Sequence, residues 1–176
     1  MCYETVTRLS AAFGRLLDAL ALLAALILFA MVAIVTADIV LRNTVGAGFS
    51  WANEVSEYSL YLMTLLTAPW LLRRGQHVRL DVILVLVPAR AAWVMEAAGD
   101  VLGFIVSLVL IRYGLAATLE SWRIGAITIK NLVFPEWWLL AALPIAFALI
   151  AVEFVFRFAR LLAGERTRRI EATSVS

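Results

Sequence analysis

Residues 19–37 read ALALLAALILFAMVAIVTA, nineteen positions without a charge, a proline or a glycine. A helix needs about 20 mostly apolar residues to cross a hydrocarbon core of roughly 30 Å, and this run comes close to that unaided. Arg8 and Arg15 precede it as they would in a secretory leader. Leader cores are usually shorter, however, and this run passes into Asp38 and Arg42 with no small-x-small cleavage site. It therefore reads as the core of a retained first span over about residues 10–42.

Three further segments follow the same pattern. A second span is expected over about 50–72, charge-free from Tyr58 to Leu72, with Glu54 and Glu57 in its first turns, where the positive end of the helix dipole suits acids. A third, over about 88–122, is opened by Pro88, whose missing N–H costs nothing in the first turn. The fourth, over about 136–162, is charge-free from Trp137 to Val152 and contains Pro144, which neighbouring helices can accommodate.

Composition agrees with this reading. Of 176 residues 64% are apolar and 16% charged, and the mean hydropathy is +0.94. One small soluble core cannot hide that much apolar surface, so the rest must face lipid. The expected fold is an all-α membrane protein, a bundle of four transmembrane helices forming a single membrane domain over 1–176, with a tail at 163–176.

In a four-span arrangement, eleven of the fifteen Lys and Arg fall on the side of the two termini and the 73–90 loop, leaving Arg42, Arg112, Arg123 and Lys130 on the other. By the positive-inside rule both termini are cytoplasmic. The six tryptophans all fall near predicted span ends, where amphipathic rings are favoured.

Several function classes drop out. A net charge of +2, with the basic residues at span ends, does not describe a nucleic-acid binder. One cysteine, Cys2, and one histidine, His77, supply no disulfide, no paired haem ligands and no catalytic or zinc constellation. No catalytic residue, cofactor or metal is expected. A solitary transporter needs a polar site near mid-membrane, and four spans with few polar groups there point instead to a subunit.

The polar residues near span ends are the candidates for structural or partner contacts. Asp38 and Arg42 stand four apart on one helical face, and the short loop to Trp51 brings them towards Glu54 and Glu57. Charges near a membrane core usually pair or face protein, so this outer cluster reads as a clamp or partner contact, with a cation or substrate site as the alternative. In the third span Gly99, Gly103 and Ser107 form a small-residue string, with Glu96 and Asp100 on an adjoining face. Such a string lets helices approach, either within the chain or from a partner. The 73–88 loop, RRGQHVRLDVILVLVP, places His77 four residues from Asp81, a spacing open to a proton relay but more often structural beside arginines. Its apolar run 82–87 is too short to cross a bilayer.

The order Arg42, Trp51, Glu54, Tyr58, Leu62, then Arg74, Gly75, His77, Val78, Asp81 and Pro88 carries a family resemblance. Over about Leu16 to Leu162 the chain resembles the small membrane subunit of tripartite ATP-independent periplasmic (TRAP) transporters, the DctQ type. That family has a similar arginine, a W-x-x-E element and an H-V-x-x-D element ending at proline. Ala68, Pro69 and Trp70 depart from the small pair usual before the inner loop. The resemblance implies a bacterial inner-membrane protein that scaffolds a large permease of the DctM type. That permease would take up organic acids with sodium, from a periplasmic substrate-binding protein of the DctP type. A membrane anchor subunit of a respiratory complex is the alternative from another class, and a thiol or acyl-transfer membrane enzyme is a weaker one.

Overall fold

The computed structural model describes residues 2–74 and 89–162. The described residues are mostly helical and form four helices and one short hairpin: α1 Cys2–Val45, α2 Ala52–Arg73, α3 Ala89–Ile124, β1 Ile127–Thr128, β2 Phe134–Pro135 and α4 Trp137–Leu162. The helices agree with the four expected spans to within two residues at most ends. The exceptions are the two ends of α1, which starts eight residues earlier and ends three residues later than expected. His77, Asp81 and the apolar run 82–87 lie outside the described residues, as does the side chain of Glu96.

Among the described residues, three segments are long and apolar enough to cross a membrane: Leu9–Val45, Trp93–Ile124 and Trp137–Ala159. The other helix, α2, has 22 residues and hence about 33 Å of length, but carries Glu54, Glu57 and several hydroxyls. Packing explains how it keeps them. The helices are in contact in the order α1, α2, α4, α3, so α2 is flanked on two sides. Few side chains are buried in the chain itself, Leu17, Ala24, Leu72, Ala146 and Ala151 among them, while Leu22, Phe29, Leu102, Ile105 and Ile145 are exposed. Exposed apolar stripes on an elongated helical row are what a lipid solvent permits.

Two glycines end helices at the points where the chain must turn. Gly46 follows α1 and Gly125 follows α3, both with positive φ (74° and 62°), a conformation that costs a Cβ-bearing residue energy. After α3, Ala126 N–H donates to Ser121 O at 3.0 Å and Gly125 N–H to Trp122 O at 3.3 Å, the paired bonds that satisfy the last carbonyls of a helix. The chain then forms the antiparallel hairpin, with Ile127 opposite Pro135 and Thr128 opposite Phe134. Nothing in the hydropathy predicts this hairpin. It lies at the same end as the α1–α2 loop, called here the hairpin end; the start of α1 and the end of α4 define the terminal end.

Candidate functional site

Polar side chains gather in two layers. On α2 the layers are marked by Glu54 and Arg73, nineteen residues and therefore about 28 Å apart, close to the hydrocarbon thickness.

At the hairpin end, Asp38 is almost fully buried and accepts two bonds: Arg42 Nε donates at 2.8 Å from one turn further along α1, and Phe49 N–H donates at 2.6 Å from the loop. Gly48 lies so close to this pair that a Cβ there would come within 2.6 Å of both side chains. The first carboxylate thus holds the α1–α2 loop against its helix. Glu54 does the equivalent for the hairpin. It is 9% exposed and accepts from Asn131 N–H at 2.8 Å, Leu132 N–H at 2.9 Å and Asn131 Nδ2 at 3.0 Å. Asn131 Nδ2 also donates to Ser50 O at 2.8 Å.

Glu57 pairs with Lys130 at 2.8 Å, both partners well exposed. That hydrogen bond, with the surrounding acidic charge, raises the lysine above its ordinary pKa. The ammonium also lies 5.5 Å from the Tyr58 ring centre, and Tyr58 meets Phe134 edge to face at 5.2 Å. Trp51 is 37% exposed and leans on Phe49 at 5.1 Å. The residues of the hairpin end therefore form two clamps, Asp38 with Arg42 and the α2 acids with the hairpin.

At the terminal end the bonds run between helices. Arg73 Nη1 donates to Glu153 at 2.9 Å, and its Nη2 donates to Ser10 O at 2.7 Å across Gly14, where a Cβ would sit 2.8 Å from the guanidinium. Glu153 is fully buried. One turn further along α4, Arg157 pairs with Asp100 of α3 at 2.8 Å, with Asp100 only 2% exposed. Ser10, Arg73, Glu153, Arg157 and Asp100 so trace a polar thread through α1, α2, α4 and α3. Phe13 and Phe156 meet beside it at 5.6 Å. At the edge, Trp70 Nε1 donates to Asp18 at 2.9 Å, and Arg74 lies 3.6 Å from Asp18 and 4.6 Å from the Trp70 ring centre.

The small residues of α3 divide between two faces. Ser107 is buried, and a Cβ on Gly103 would collide with the Phe154 ring, so both serve the α4 contact, which Gly114 extends against Leu143 and Pro144. Gly99 has nothing within 4 Å of a would-be Cβ. The contact stripe passes through Asp100, Gly103 and Ser107 instead, with Asp100 on it rather than beside it.

Arg73, Glu153, Arg157, Asn131 and Asp18 carry much of this network and were not singled out from the sequence. Glu153 and Arg157, four apart at the end of a charge-free run, are the one local signal that marks them. Among the described residues no group of His, Cys, Asp and Glu is placed to share a metal ion. Chemically the arrangement ties helices and loops together at both ends.

The model of one protein family, described as tripartite ATP-independent periplasmic transporters, DctQ component, matches residues 31–164, about three quarters of the chain. No curated protein gives a match.

Proposed function

We propose, since the chain belongs to the DctQ component family of the tripartite ATP-independent periplasmic transporters, that it is the fixed frame on which a large permease subunit of the DctM type moves. In this reading it resides in the bacterial inner membrane with both termini in the cytoplasm, so the hairpin end faces the periplasm. The complex takes up an organic acid with sodium, delivered by a periplasmic binding protein of the DctP type. This chain contributes no catalysis.

One observation carries the frame reading: polar bonds brace the helices at both ends, while Ala19–Ala37, Tyr58–Leu72 and Trp137–Val152 contain no charged residue. A moving element needs a substrate site near mid-membrane, and these three helices offer no charge there. A rigid partner needs fixed spacing between helices, which the terminal-end ion pairs supply. The exposed residues of the hairpin end, Trp51, Glu57 and Lys130, are a candidate contact for the binding protein.

Purification in mild detergent through a tag after Ser176, followed by mass spectrometry, tests the reading. A single large multi-span permease is expected in the eluate. Redox proteins without a permease would favour a respiratory anchor subunit instead.

A further inference from the structure

Arg112 sits in the middle of α3 on the side facing away from α4. Its depth follows from the packing. Gly114, two residues on, lies against Leu143 and Pro144, the midpoint of the charge-free stretch Trp137–Val152 of α4. Along α3, Arg112 is about 18 Å from Asp100 in the terminal-end layer and about 15 Å from Trp122 near the hairpin end. The sequence count placed this arginine with the outer charges; the structure puts it near mid-depth.

It is exposed, and so is its neighbour Tyr113, 70% open. Neither has a hydrogen-bond or ion-pair partner among the described residues. Together with Leu108, Val109 and Ala116 they line a shallow recess on the helix. The surrounding large side chains, Ile105 and Leu119 included, are about half exposed and apolar. An arginine on such a face is costly unless it pairs, and helical Cα–Cβ bonds tilt towards the N-terminus, here towards the more distant boundary.

We propose that this face of α3 docks a membrane-spanning helix of the large permease that presents a carboxylate at mid-depth to Arg112, with the Tyr113 hydroxyl beside it. The proposal rests on the subunit reading above. A second copy of this chain cannot meet the same need: residues 19–37, 58–72, 101–119 and 137–152 contain no Asp or Glu. Lipid phosphates lie about half a bilayer away. The complementary charge therefore has to come from a different membrane protein.

The test uses the complex in its own membranes. A photo-crosslinking amino acid is placed at Ile105 or Leu119, which flank Arg112 at seven-residue spacing on the same face, and for comparison at Phe29 on α1. Crosslinks to the permease are expected from Ile105 and Leu119. Arg112→Glu is expected to lower the recovered permease at least tenfold, and Arg112→Lys to retain most of it. A carboxylate-to-lysine change in the crosslinked permease helix should restore recovery with Arg112→Glu.

Arg112 makes no hydrogen bond or ion pair among the described residues, and the crosslinking arm keeps the native arginine, so misfolding does not confuse the result. Permease crosslinks from Phe29 alone, crosslinks to a second copy, or normal permease recovery with Arg112→Glu would overturn this surface while leaving the subunit reading intact. Failure of the unaltered chain to recover any permease would sink both.

Discussion

The two ends of the bundle solve the same problem by different means. At the terminal end, side chain meets side chain: Arg73 with Glu153 and Arg157 with Asp100, each acid at most 2% exposed. At the hairpin end, the buried carboxylates of Asp38 and Glu54 turn to backbone N–H groups of Phe49, Asn131 and Leu132. The first arrangement fixes helix to helix, and the second fixes loop to helix. Loss of a partner at the terminal end takes an ion pair from an acid buried between helices; loss at the hairpin end releases a loop into solvent, where water replaces the bonds. The two ends should therefore differ in how much they contribute to stability and in what loosens when they fail.

The largest effect is expected from Arg73→Ala, which takes an ion-pair partner from the fully buried Glu153. Breaking a buried pair from one side costs about 3–5 kcal/mol, whereas replacing both partners by apolar residues is often close to neutral. Thermal unfolding of the purified chain should show a large drop for Arg73→Ala and substantial recovery for Arg73→Leu with Glu153→Leu. Equal losses for the single and double variants would remove the distinction between the ends.

Gly103→Leu comes next. It drives a side chain into Phe154 and is expected to cost about 1–3 kcal/mol through overpacking, read from the same unfolding curves, while Gly99→Leu leaves them nearly unchanged.

Glu54→Ala should act on the loop more than on the bundle. Hydrogen exchange at Asn131 and Leu132 is expected to rise sharply with a melting shift of only a few degrees, because three acceptor contacts to the hairpin vanish. A collapse of the whole bundle would show that the hairpin end bears more than its loops.

The smallest effect belongs to Lys130→Ala, whose pair with Glu57 is well exposed and screened by salt. The folded-state pKa of Lys130 lies above the usual lysine value, so its contribution is complete below that value and is lost as pH rises through the higher folded one. The small difference in hairpin-amide exchange between Lys130→Ala and the unaltered chain should therefore be present near neutrality and vanish only under strongly alkaline conditions.

Hydropathy made the helices legible because lipid imposes one simple demand on a long apolar run. The Asp38–Arg42 pair was legible too, since four-residue spacing fixes neighbours on a helix without tertiary knowledge. What stayed hidden depends on which helices pack together. Glu54 bonds a residue 77 positions away and Arg73 one 80 positions away, and no local period reports such separations. The hairpin was invisible because it is two residues per strand and is held by side chains from elsewhere in the chain. Gly99 and Gly103 look alike in sequence; only the rotation of α3 against α4 assigns one to the contact and leaves the other exposed.

The central claim is that the bundle is a fixed frame, and distances across it during transport test this most directly. With Cys2 replaced, spin labels at Val45 and Ile129 report the hairpin end, and labels at Leu9 and Val155 the terminal end, all four being exposed positions. Pulsed dipolar spectroscopy on the reconstituted complex should give the same distance distributions with and without sodium and substrate. A shift at either end that appears with substrate and tracks uptake would contradict the frame and make this chain one of the moving parts.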